Sequence, residues 1–277
     1  MRKQFCIGLL VLSILLTGCD SQKAAQEDTT AKQQPAFEQT DDPLPAPIET
    51  EKPEAQPEQV SEPAEVLPLD TKIICVDPGH GVTDLREQEP YSPYSSETKQ
   101  AFVGGTAGRN QTEEELNLAV GLQLKELLEA QGADVIMTRT THESDMTNYK
   151  RALLANEGNA DLCIRIHADG SDDPSVYGMS MLVPYGTQLA TQDIVEPSRV
   201  AGEYVLQAAV AATGAKNNGI VQRSNLTGFN FAEVPTILIE MGFMSNAEED
   251  ALMETEAYQK KLAQGICDGI LQYFEAQ

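Results

Sequence analysis

Hydrophobic and polar positions divide the chain near residue 70. From Asp20 to Leu69 no apolar residue recurs with a helical or strand period; beyond it, short apolar runs alternate with amphipathic stretches. Ile73-Ile74-Cys75-Val76 is an apolar run stopped by Asp77-Pro78-Gly79, which predicts a buried strand whose exit turn presents His80. A histidine there is as readily an incidental turn residue as a functional one. In open α/β sheets, however, the C-terminal edge of the strands is where sites are built.

The polar stretch from Val82 to Asn110 holds Gly104-Gly105 and Gly108 and predicts a flexible loop. Thr112 and Glu115 have the spacing of a capping box, opening a helix with Leu116, Val120, Leu124, Leu127 and Leu128 on its apolar face and Gly132 at its end. Strands are expected over Ala133–Thr138, Leu162–His167, Met179–Val183 and Thr236–Ile239. Helices are expected over Thr147–Asn156, with Leu153 and Leu154 inward, and over Val200–Thr213, stopped by Gly214. Lys216–Phe231 reads as a Gly/Asn-rich loop, and a last helix carries Tyr258, Leu262, Ile266, Ile270 and Tyr273 on one face. Strands alternating with helices predict an α/β fold: a single αβα layered domain with a mostly parallel mixed sheet, over 71–277.

Charge and composition change the picture ahead of that domain. Of the 277 residues, 43 are acidic and 19 basic, a formal net charge of −24 that leaves no basic patch for nucleic acid. Residues 20 to 70 contribute 13 acids, three bases and eight of the 15 prolines, the composition of a disordered, self-repelling linker. At about 3.1 Å per residue such a segment reaches on the order of 150 Å. Residues 1–18 join a basic start, Arg2-Lys3, to the apolar run Ile7–Leu16, the pattern of a secretory signal. Its end, Leu16-Thr17-Gly18-Cys19, resembles a bacterial lipoprotein signal, which implies lipidation of Cys19, a lipid anchor in the membrane, and a place on the outer face of the cytoplasmic membrane. Five cysteines without a CxxC pair argue against a thiolate metal site, and Cys75, Cys163 and Cys267 fall in apolar patterns as buried free thiols.

Chemistry collects at the strand ends. His80 follows the first strand, His167 ends the third, Glu240 ends the last, and Glu113 opens the helix after the first. Two imidazoles and a carboxylate are the ligand set of a catalytic zinc, and a further carboxylate nearby can carry a proton. No Ser-His-Asp or Cys-His elbow is present.

Four blocks carry a resemblance: Asp77-Pro78-Gly79-His80-Gly81, Glu113-Glu114-Glu115-Leu116-Asn117-Leu118, Ile166-His167-Ala168, and Val234 to Phe243. With these in order, residues 71 to 275 resemble the zinc-dependent N-acetylmuramoyl-L-alanine amidases of the cell-wall hydrolase type (amidase type 3). The resemblance implies a phosphorylase/hydrolase-like layered domain, with zinc held by His80, Glu113 and His167 and Glu240 as the catalytic carboxylate. It also implies peptidoglycan as substrate, cut at the amide between N-acetylmuramic acid and L-alanine. Glu114 is the competing ligand at the helix start, and His142 reads as a surface residue. Arg165 stands where the family commonly has serine and shares a strand face with His167; it either contacts a substrate carboxylate or Glu240, or pairs with an acid. Asp169 replaces a common asparagine, the stretch before Glu113 is longer than in compact members, and Arg139, Arg151 and Asn156 match positions that support the site. A zinc peptidase cutting within the stem peptide, or a non-catalytic zinc- or wall-binding lipoprotein, would use the same ligands. No feature of the sequence specifies an oligomeric state.

Overall fold

The computed structural model describes residues 66–277; the expected signal segment 1–18, Cys19 and the expected linker through residue 65 lie outside the described residues. In chain order the elements are β1 (Ile73–Pro78), β2 (Gln88–Pro90), β3 (Thr98–Gln100), α1 (Glu113–Ala130), β4 (Asp134–Met137), α2 (Asn148–Glu157), β5 (Leu162–Asp169), β6 (Met179–Pro184), α3 (Val195–Thr213), β7 (Asn217–Arg223), α4 (Thr227–Asn230), β8 (Thr236–Phe243), α5 (Ala247–Met253) and α6 (Glu256–Glu275). Six strands form one sheet in the order β4-β1-β5-β8-β6-β7. Every pairing in it is parallel except that of β6 with β8, so the sheet is mixed and mostly parallel, as the alternation of elements predicts.

Strand parity sorts the side chains into two unequal layers. Ile74 and Val76 of β1, Leu162, Ile164 and Ile166 of β5, and Ile237 and Ile239 of β8 join the main core with Leu116, Leu124 and Leu128 of α1 and the apolar faces of α3 and α6. Each such side chain, fully buried, contributes about 1.5–3 kcal/mol. Helices α3 and α6 approach so closely that a methyl group on Gly269 would lie 2.4 Å from the Val205 Cα. The opposite face carries Cys75, Asp77, Cys163, Arg165, His167, Leu238 and Glu240, and only α2, α4 and short segments cover it. That thin layer leaves room for a site.

Several expectations are corrected. Val82–Asn110 is not loop throughout: β2 and β3 pair as an antiparallel hairpin, with Glu89 accepting from the Asn148 side chain and the Tyr149 amide at the start of α2. Gln-Glu-Pro and Thr-Lys-Gln lack the apolar alternation that marks a strand. Lys216–Phe231 likewise contains β7, a mostly exposed edge strand, and the single turn α4. In α2 the inward residues are Arg151, Ala152 and Ala155, with Leu153 and Leu154 half-buried, because this helix faces a polar network as well as the small Cys75–Cys163 cluster. Helix α3 begins at Val195, five residues before its expected start, and α5 is additional. Leu69 is fully buried and its amide donates to Gln131 O, so the folded part reaches ahead of Thr71. The capping box at Thr112 is formed in both directions, and Cys75, Cys163 and Cys267 are buried free thiols.

Candidate active site

The turn after β1 is held by arginines. Arg139 donates to the carbonyls of Pro78 and Gly79, and Arg151 to those of Pro78 and His80. These bonds fix His80 at φ 61°, a left-handed conformation that costs a residue with a side chain on the order of 1–3 kcal/mol. Gly79 precedes it because the His167 ring lies where a Cβ would be, 2.2 Å away. Beneath the turn Asp77 accepts from Thr138 Oγ1 at 2.5 Å, Arg151 Nη1 at 2.6 Å and Arg165 Nε at 2.7 Å. Burial works against its ionisation, but the two guanidiniums and the Thr138 hydroxyl outweigh that and hold its carboxyl far below the usual carboxylate range. Asn156 pins the loop before β8 by donating to Phe231 O and accepting from the Glu233 amide.

His80, Glu113 and His167 converge so that one ligand atom from each lies within 4.8 Å of the others. His80 Nε2 is 3.1 Å and His167 Nδ1 2.9 Å from the same oxygen, Glu113 Oε1. At metal–ligand distances of about 2.0–2.1 Å the edge of a zinc tetrahedron is about 3.3 Å, so the donor set suits a zinc ion. Glu113 sits at the first position of α1, where the macrodipole favours an anion. Its oxygens also accept from the Thr106 and Ala168 amides, at 2.8 and 3.2 Å. Burial opposes its charge, yet the hydrogen bonds to His167 and His80 carry its pKa below the usual range. Burial drives His167 down to about 4 against the pull of Glu113, which leaves the ring neutral with a lone pair to give. The Val103 carbonyl, 2.9 Å from His80 Nδ1, orients the other ring.

Glu240 stands beside this trio because β8 pairs with β5 in the register His167↔Glu240, which puts both side chains on the thin face. Its Oε2, like His167 Nε2, is buried without a protein partner. Unsatisfied buried polar atoms cost about 1–3 kcal/mol each, which a ligand in the site would relieve. Burial, then the charges of Asp169 and Glu113, raise the Glu240 pKa well above the usual carboxylate value. Glu114 turns away to His142 Nδ1 at 3.1 Å and Arg139, which leaves Glu113 as the ligand candidate and His142 as a largely exposed residue.

Residues 74–272 match a family model described as N-acetylmuramoyl-L-alanine amidase. The chain belongs to that family. Among its relatives is the germination-specific N-acetylmuramoyl-L-alanine amidase of Bacillus subtilis, 30% identical over 223 residues that cover 75% of this chain and 82% of the relative. The N-acetylmuramoyl-L-alanine amidase AmiA of Salmonella typhimurium is 23% identical over 241 residues, 73% and 76% of the two chains. Among solved structures, the amidase Ami1 of Mycobacterium smegmatis superposes with a TM-score of 0.69 and 27% identity, over 76% of this chain and 99% of that one.

Within this amidase domain two large clefts open from the trio, beside a small pocket of about 60 Å³ that reaches His80 and His167 from the side of Phe102 and Met146. One, about 540 Å³, is lined by Gly104–Thr106, Ala168–Asp172 and Ser245 together with Glu113 and Glu240. The other, about 380 Å³, runs along β6 and β7 past Arg165, Ser180, Leu182, Val221 and Arg223. Arg165 pairs with an acid, but as a buried residue and not at the rim: it faces Asp77 directly in the β1–β5 register and also donates to Asn148 Oδ1 at 2.6 Å, while lining this cleft. Arg223 was not legible from sequence, since its strand carries no period that marks it. Asp77→Asn removes the charge between two buried guanidiniums, and a loss of about 3–5 kcal/mol of stability at pH 7 is expected. Because the folded pKa of Asp77 is depressed, its contribution is full above the unfolded value of about 3.9 and is lost progressively as pH falls from there toward the much lower folded value. Urea unfolding at pH 7 and pH 3 checks both points: the gap between wild type and Asp77→Asn narrows at the lower pH.

Proposed function

We propose that this chain uses zinc to hydrolyse the amide joining the lactyl group of N-acetylmuramic acid to L-alanine in peptidoglycan stem peptides. The observation that carries the reading is the convergence of His80, Glu113 and His167 within 4.8 Å, in a chain of this amidase family. Zinc bound by these three supplies a Lewis acid for the amide carbonyl and brings the pKa of a water toward neutrality. Glu240 takes the proton of the attacking water and returns it to the alanine nitrogen as the C–N bond breaks. Burial and the neighbouring acids favour its protonated form, the form that donates to the leaving nitrogen. The chain's own amides at Thr106 and Ala168 hold Glu113 in place.

Purified peptidoglycan digested by the protein is expected to release free stem peptides beginning with L-alanine. Mass spectrometry should find that release stopped by a chelator and restored by zinc. Fragments cut inside the stem would instead identify a peptidase, and bound zinc without any cleavage a binding protein.

We also propose that Cys19 is lipidated and that residues 20–65 tether the domain to the outer face of the cytoplasmic membrane, on the strength of the signal-like residues 1–18 and the acidic, proline-rich stretch that follows. Among the described residues no helix is long and apolar enough to cross a membrane. Cells fed a labelled fatty acid should label this protein and leave Cys19→Ser unlabelled; equal labelling of both would sink the anchor.

A further inference from the structure

The two clefts that leave the metal-ligand trio differ in charge. The cleft along Ala168–Asp172 is lined by Glu113, Asp169, Asp172 and Glu240 and by no lysine or arginine. The cleft along β6 and β7 shares Asp169 and Glu240 with it but adds two guanidiniums, those of Arg165 and Arg223. Arg165 is already committed to Asp77 and Asn148. Arg223 is not: its Nε donates to Asn225 Oδ1 at 3.2 Å, and among the described residues no carboxylate lies within 4.0 Å of its guanidinium. In a chain with 43 acids and 19 bases an arginine readily finds an acid, as Arg199 does with Glu196 and Glu203. A free guanidinium at the lip of a cleft is poised for an anion from outside. Leu182, Leu226 and Leu238 line the same cleft, and apolar surroundings strengthen an ion pair made there.

We propose that Arg223 binds a carboxylate of the stem peptide, so that the peptide half of the substrate runs along β6 and β7. The inference rests on the amidase reading above, in which a glycan lies on one side of the scissile amide and a carboxylate-bearing peptide on the other. The cleft along Ala168–Asp172 offers a peptide carboxylate only acids, whereas the cleft along β6 and β7 places the Arg223 guanidinium beyond the two acids it shares. A guanidinium offers a carboxylate two parallel donors, a geometry that a carboxamide does not return with the same charge.

The test compares two synthetic muramoyl-L-alanyl peptides that differ only in their peptide carboxylates, free in one and capped as carboxamides in the other. The full zinc-loaded chain is expected to prefer the free form by about tenfold or more in kcat/KM, mainly through KM. Arg223→Gln should bring that ratio close to one, whatever it does to the rate common to both substrates, and Arg223→Lys should keep part of it. A ratio near one in the wild type, or one unchanged in Arg223→Gln, overturns the proposal. If neither peptide is cleaved, the amidase reading itself has failed, and calorimetry with the free stem peptide and its carboxamide decides the binding claim. Selective binding of the free form that disappears in Arg223→Gln supports it, and equal binding of the two forms overturns it.

Discussion

Glu240→Gln is expected to lower stem-peptide release at least about a hundredfold while the protein still binds one zinc per chain. Glutamine matches glutamate in shape, so β8 should fold as before between Ile239 and Met241, both buried in the main core. What is lost is the ability to take up and return a proton, a contribution of about 10²–10⁴ in rate. The reserve is small. Asp169 lines the same clefts, but its Oδ1 already accepts from the Gly170 amide and its neighbours are acidic. Metal content measured beside product release makes the result decisive. Activity within tenfold of wild type would remove Glu240 from the proton pathway, and loss of zinc together with activity would recast it as a ligand.

The sequence made the site legible where local rules and motif order coincide. His80 is announced by an apolar run broken at Pro78-Gly79, and its position past the strand follows from that break alone. Glu113 is separated from Glu114 by helix geometry. The capping box at Thr112 makes Glu113 the first helical residue, and its carboxylate turns to His80 and His167 while Glu114 turns to Arg139 and His142. The adjacency of His167 and Glu240 depends on β5 and β8 being neighbours, which only the motif order suggested. Parity correctly placed Arg165 on the face of His167. Its partner Asp77 lies 88 residues away and is fixed by the β1–β5 register, a long-range fact that no local pattern carries. The hairpin of β2 and β3 and the edge strand β7 escaped for a related reason. Both are held by side chains and turns at the rim of the sheet, not by a buried apolar face, so the period that reveals a core strand is absent.

Glu113→Gln should separate the proposed ligand from the proposed proton carrier. Glu113 is the one anion in the trio, and apart from the two rings each hydrogen-bonding neighbour of its carboxylate presents a donor: the Thr106 amide on Oε2, and the Ala168 amide and Asn117 Nδ2 on Oε1. A glutamine offers one oxygen and one NH₂ group, so one of those positions must set donor against donor. The cost to the metal-free fold is expected to be about 1–3 kcal/mol, read from thermal or urea unfolding. Zinc affinity should fall by at least about a hundredfold, because the charge that offsets the ion is gone and the remaining ligands are neutral rings. The consequence for activity differs in kind from that of Glu240→Gln. With the proton carrier intact, Glu113→Gln should recover measurable peptide release as zinc is raised toward saturation, whereas Glu240→Gln should stay inactive at any zinc concentration. Isothermal titration with zinc, run beside the same digestion assay, gives both quantities. Wild-type zinc affinity in Glu113→Gln would take Glu113 out of the ligand set, and the metal would then have to rest on His80, His167 and a carboxylate other than the one their rings touch.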